Sequence, residues 1–94
     1  MTEAMHRVLV VEDEPGMRAV LHATLEGAGY RTIEAATTER ALIEARSHRP
    51  DIVLIDLGLP DADGIVAIRG IRAWSPVPII VLSARTLEEQ KIAA

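Results

Sequence analysis

Glu12, Asp13 and Glu14 stand in a row directly behind the apolar run Arg7 to Val11, and Asp56 closes a second apolar run that starts at Asp51. If those runs are neighbouring strands, Glu12, Asp13 and Asp56 converge on one pocket. Ionised together they repel one another, and a cation relieves the repulsion. Hard oxygen donors suit Mg²⁺, with Mn²⁺ tolerated. A carboxylate whose charge is offset in this way can serve as a nucleophile toward phosphorus. The plainer reading is that acids at strand ends face water or complement helix N-termini. It fits Glu14 best, which leaves Asp13 and Asp56 as the residues for chemistry. The histidines His6, His22 and His48 show no ligand spacing, and none is given a catalytic role.

The elements that must position these acids follow from hydropathy patterning. Arg7 to Val11, Asp51 to Asp56 and Val77 to Leu82 are nearly continuous in Val, Ile and Leu, as in strands buried on both faces of a parallel sheet. Tyr30 to Glu34 alternates polar and apolar residues and suits a place nearer an edge. Helical spacing intervenes three times. Met17, Val20, Leu21, Thr24, Leu25 and Ala28 recur at threes and fours between Pro15 and Gly29. Ala41, Leu42 and Ala45 follow a cap at Thr37 or Thr38 and stop near His48, before Pro50. Ile65, Ile68 and Ile71, or the stem of Arg72, form an apolar stripe between Gly64 and Trp74, where the sole tryptophan packs the helix end. Thr86 and Glu89 have capping-box spacing and open a fourth helix. Strict alternation of strand and helix predicts right-handed βαβ units and a doubly wound parallel α/β sheet. In such sheets ligands bind outside the carboxyl ends of the strands, where Glu12, Asp13, Asp56 and Ser83 stand.

Several function classes are excluded. An acidic first loop repels a pyrophosphate, and neither G-x-G-x-x-G nor G-K-[ST] follows the first strand. Asp61, Asp63 and Gly64 lack the ligand spacing and the closing Glu of a calcium loop. The formal net charge is −4 with no long Lys/Arg cluster, so this module carries no nucleic-acid footprint of its own. The chain has no cysteine, which rules out disulfides and thiolate metal sites. Its apolar runs are strand-sized and Met1 to Arg7 is no signal peptide, so no membrane partner is expected and a cytoplasmic location is. Its 94 residues, 49% of them hydrophobic, make one small domain. At this size only roughly 60 to 65% of the unfolded chain's surface is buried on folding, so each missing element weakens the core.

Three segments, Val8-Leu-Val-Val-Glu-Asp-Glu-Pro15, Asp56-Leu-Gly-Leu-Pro-Asp-Ala-Asp-Gly64 and Val77-Pro-Ile-Ile-Val-Leu-Ser-Ala84, in this order and at these separations, resemble the receiver domain of two-component response regulators. The resemblance runs from Arg7 to Ala94. Asp-Leu-Gly-Leu-Pro-Asp, Trp74-Ser75 and Ser83-Ala-Arg most resemble the regulators of potassium uptake within the winged-helix transcription-factor branch. It implies a flavodoxin-like fold of strand order 2-1-3-4. Asp56 then matches the phosphoacceptor. Asp13 and Asp56 would hold Mg²⁺ through carboxylates, Gly58 through its backbone carbonyl and Glu12 through a water. Ser83 would hydrogen-bond the phosphoryl group and move on activation. Gly58 and Ala84 would flank the path of the hydrolytic water, and Pro60 and Gly64 would shape the loop after the third strand. The implied partners are a sensor histidine kinase, a second copy on phosphorylation, and DNA through a separate domain.

Residues 1–94 are expected to form an incomplete receiver ending in the fourth helix, without the family's fifth strand, last helix and phosphate-binding lysine; Lys91 does not match that lysine. The fourth strand would then be an apolar edge. A longer natural chain with a C-terminal DNA-binding domain is the expectation. Two other classes compete: a pseudo-receiver that only binds partners, and a Mg²⁺-dependent phosphohydrolase, which would carry its Asp nucleophile after the first strand rather than the third.

Overall fold

Val8, Leu9, Val10 and Val11 are at most 2% exposed, because the strand they form is flanked by a strand on each edge. The computed structural model describes residues 6–56 and 64–82. In chain order these give β1 (Arg7–Val11), α1 (Pro15–Gly27), β2 (Arg31–Ala35), α2 (Thr38–His48), β3 (Ile52–Asp56), α3 (Gly64–Arg72) and β4 (Ile79–Leu82). The sheet is parallel, in the order β2-β1-β3-β4, as expected. The expected fourth helix, Gly58 and Ser83 lie outside the described residues.

Register assigns the faces. Leu9 pairs with Ile33 and Val53, and Val11 with Ala35 and Ile55. These residues share a core with Ala41 and Ala45 of α2 and Ala67 and Ile71 of α3. Alanines at the contact let α2 lie close to the sheet. The alternate residues Val8 and Val10 are buried on the other face, which α1 covers.

The helix ends follow local chemistry. Thr37 is the cap of α2, its Oγ1 accepting from Arg40 N–H at 3.1 Å. Arg49 ends α2 in the left-handed region (φ 46°), and Pro50 follows. Gly29, at φ 96°, turns the chain from α1 into β2 where a side chain would be strained.

Three expectations need correction. The third helix buries Gly64, Ala67 and Ile71, and Ile65 is 45% exposed. Of the expected stripe Ile71 is fully buried and Ile68 packs against the core, while Ile65 turns outward and Gly64 and Ala67 take buried places. No residue of α1 is fully buried, and Met17 and Val20 are exposed. The sheet side of α1 is served by half-buried Leu21 and Leu25, while its flank has no neighbour among the described residues. Finally, the hydropathy of β4 suggested burial on both faces, yet Ile80, Val81 and Leu82 are exposed, so β4 is the apolar edge of the described sheet that was also expected for the fourth strand. Trp74, just past the end of α3, is 36% exposed and lies under the guanidinium of Arg46 of α2, at 5.1 Å from the ring centroid.

Candidate metal centre

Two strand ends bring the acids together. Val11 of β1 lies beside Ile55 of β3, so the next residues, Glu12 and Asp56, leave the sheet at the same level. Asp13 follows in the bend before α1. Glu12, Asp13 and Asp56 each offer a carboxylate oxygen, and these oxygens lie within 4.8 Å of one another. A small cavity of about 70 Å³ opens there, lined by Glu12, Met17, Asp56 and Leu82.

Glu12 is held through both its backbone and its side chain. Its N–H donates to the Ala35 carbonyl of β2 at 3.0 Å, and its carboxylate accepts from Glu14 N–H at 3.1 Å. It is also only 8% exposed. Burial pushes its carboxyl above the ordinary carboxylate range; the bond from Glu14 N–H pulls the other way, and the charge of Asp56 and hydrogen bonds shared with Asp56 and Asp13 push up again. Glu14 itself is the N-cap residue of α1 and makes no side-chain cap bond, which agrees with its reading as a peripheral acid.

The residues therefore fit a hard divalent cation: three converging oxygen donors, one of them buried with its carboxyl pushed up by burial and by the neighbouring Asp56. A much larger cleft, about 380 Å³, opens between the C-terminal ends of α2 and α3, lined by Arg46, Arg49, Trp74 and neighbours. Its guanidiniums have the wrong sign for a cation.

The sign of the Glu12 shift makes a prediction. A carboxyl raised in the folded state takes up a proton on folding, so in metal-free protein its contribution falls as pH rises from the ordinary value of 4.5 through the folded-state value. Glu12→Gln removes that loss. Thermal melts in chelator should show the variant at least as stable as wild type at neutral pH, with the difference closing on acidification. A gap that widens as pH falls would contradict this assignment.

The fold and the acid cluster define a receiver. The response regulator receiver domain family matches residues 8–94, and the chain belongs to it. It is 56% identical over 90 residues to the KDP operon transcriptional regulatory protein KdpE of Escherichia coli K12, covering 96% of this chain and 40% of that protein. It is 42% identical over 86 residues to the DNA-binding response regulator MtrA of Mycolicibacterium smegmatis, covering 92% and 38%. The chain thus spans about two fifths of these relatives. Among solved structures, the chemotaxis response regulator CheY4 of Vibrio cholerae superposes with a TM-score of 0.84 at 32% identity, over 95% of this chain and 77% of that one. The receiver domain of the Pseudomonas aeruginosa sensor histidine kinase PA1611, described with a magnesium ion in its active-site cleft, gives 0.84 at 38%, over 95% and 75%.

Of the residues singled out from sequence, Glu12, Asp13 and Asp56 converge; Gly58, Ser83 and Ala84 lie outside the described residues. Sequence reading overlooked Met17 and Leu82 as cavity walls, and it overlooked Arg18. The signal for Arg18 was present: Arg18, His22 and Glu26 repeat every four residues along α1, a polar line on a helix otherwise read by its apolar residues.

Proposed function

We propose that this chain is the phosphoacceptor module of a two-component regulator, receiving a phosphoryl group on Asp56 from a sensor histidine kinase. The observation that carries the reading is the convergence of Glu12, Asp13 and Asp56 at the ends of β1 and β3. An oxygen of Asp56 forms the bond to phosphorus as the phosphorus–nitrogen bond of phosphohistidine breaks, and the imidazole keeps the electron pair and takes up a proton. Asp13 and Asp56 would hold Mg²⁺ through their carboxylates, Glu12 through water and Gly58 through its carbonyl; Mn²⁺ would serve in its place. Bound there, the ion offsets charge on the phosphoryl oxygens. Ser83 would donate a hydrogen bond to the transferred group. The residues of the chain supply placement and the kinase supplies the driving force, so no multiple-turnover enzyme activity is assigned.

The names of the relatives support a place in transcription control, with potassium uptake the process suggested by KdpE. In this reading residues 1–94 are the receiver, a further domain contacts DNA, phosphorylation favours a homodimer, and the protein works in the cytoplasm. No helix among the described residues is long and apolar enough to cross a membrane.

The test is to incubate full-length protein with Mg²⁺ and acetyl phosphate and map the adduct. One phosphoryl group per chain on Asp56, dependent on the metal, is expected. Sustained release of phosphate from an ester would replace this reading with a hydrolase, and no adduct together with no metal binding would replace it with a pseudo-receiver.

A further inference from the structure

Arg18 is the fourth residue of α1, and side chains on a helix lean toward its N-terminus. That lean carries the guanidinium back over the site loop. Its Nη1 donates to the main-chain carbonyl of Glu12 at 3.0 Å, and its Nε lies 3.3 Å from Oε1 of Glu34 on β2. Glu34 is placed by its strand, which is bonded to β1 through the Val10 pairing, and His22 Nδ1, itself paired with Thr32 Oγ1, stands 3.8 Å from the other carboxylate oxygen.

The consequence reaches both acids through one peptide. The unit joining Glu12 to Asp13 is planar and contains the Cα atoms of both residues. The N–H of Glu12, in the preceding peptide, is fixed on Ala35, so a donor on the Glu12 carbonyl restrains the turn of the Glu12–Asp13 plane against its fixed neighbour. The planar guanidinium offers Nη1 to the carbonyl and Nε to the carboxylate in fixed relative directions, which an ammonium on a flexible stem holds less rigidly.

We propose that Arg18 is a positioning residue for the metal centre: braced on Glu34, it locks the Glu12–Asp13 peptide so that both carboxylates face Asp56. This rests on the metal-binding reading above. Partners that orient ligands without touching the metal typically govern affinity by about ten- to a hundredfold.

The experiment is Mg²⁺ titration by calorimetry on the full-length protein, alongside phosphorylation by acetyl phosphate at low and saturating Mg²⁺. Arg18→Gln should bind Mg²⁺ about tenfold more weakly. Its phosphorylation should be slow at low Mg²⁺ and return to the wild-type rate at saturation. Arg18→Lys, which keeps the charge and loses the fork, should remain clearly weaker than wild type. Wild-type affinity in a folded Arg18→Gln, full rescue by lysine, or a rate defect that persists at saturating Mg²⁺ would each overturn the proposal. Should Arg18→Gln fail to fold, Glu34→Ala decides: removal of the brace must weaken Mg²⁺ binding, and unchanged affinity refutes it. Wild-type protein that binds no Mg²⁺ would remove the functional reading itself, an outcome distinct from equal binding by wild type and variant.

Discussion

Asp56→Asn is expected to abolish the phosphoryl adduct while leaving the protein folded. The amide has nearly the shape of the carboxylate, so the packing of β3 is retained, but it lacks the negative oxygen that attacks phosphorus. The substitution also takes one charge out of a cluster whose oxygens lie within 4.8 Å of one another. Two further effects follow with opposite signs. Metal-free protein gains stability, because Glu12 no longer faces the charge of Asp56, and Mg²⁺ affinity falls, because the cluster loses an anionic ligand. Mass analysis after acetyl phosphate treatment, melts in chelator and Mg²⁺ titration read the three separately. An adduct formed at wild-type yield in Asp56→Asn would place the acceptor elsewhere, with Asp13 the nearest alternative.

Asp56 could be read from sequence because both facts that locate it are local. An apolar run long enough for a buried strand ends there, and ligands in a parallel α/β sheet gather where strands end. The same holds for Glu12 and Asp13, and for the edge position of β2, whose alternating residues announced a strand with one side open. Arg18 was not legible, because its role depends on the lean of a helical side chain over a neighbouring loop and on Glu34 in a different element. Ile65 was misassigned for a related reason. Hydropathy favours the largest residue of a stripe, whereas burial follows which positions face the core, here Gly64 and Ala67 together with Ile71. The apolar run of β4 by itself reads as a strand buried on both faces, and only the expectation that the fourth strand forms an edge pointed to the exposure of Ile80 to Leu82.

The largest loss of stability is expected from Leu9→Ala. Leu9 is fully buried at the middle of the central strand, between Ile33 of β2 and Val53 of β3 and beneath α2 and α3. Leucine-to-alanine changes in cores cost roughly 2 to 5 kcal/mol, the upper part applying where surroundings cannot close the gap. Here the flanking residues are β-branched and stiff about χ1, and the backbones are tied by strand hydrogen bonds, so little collapse is available. A loss of about 4 kcal/mol, or roughly a thousandfold in the folding equilibrium, is therefore expected, against a typical total of about 5 to 15 kcal/mol. Ile43→Ala, at a position 42% exposed on α2, is the matched control and should cost under about 1 kcal/mol. Urea unfolding of the full-length protein measures both, and a Leu9→Ala loss no greater than that of the control would show that the core closes around the deletion. Where the variant is still folded its phosphorylation should stay near wild type. Glu12 is held by backbone and side-chain hydrogen bonds to Ala35, Glu14 and Arg18, none of which is made by the Leu9 side chain. Leu9→Ala and Asp56→Asn should thus fail in opposite ways, one unfolding a competent site and the other disarming a stable fold.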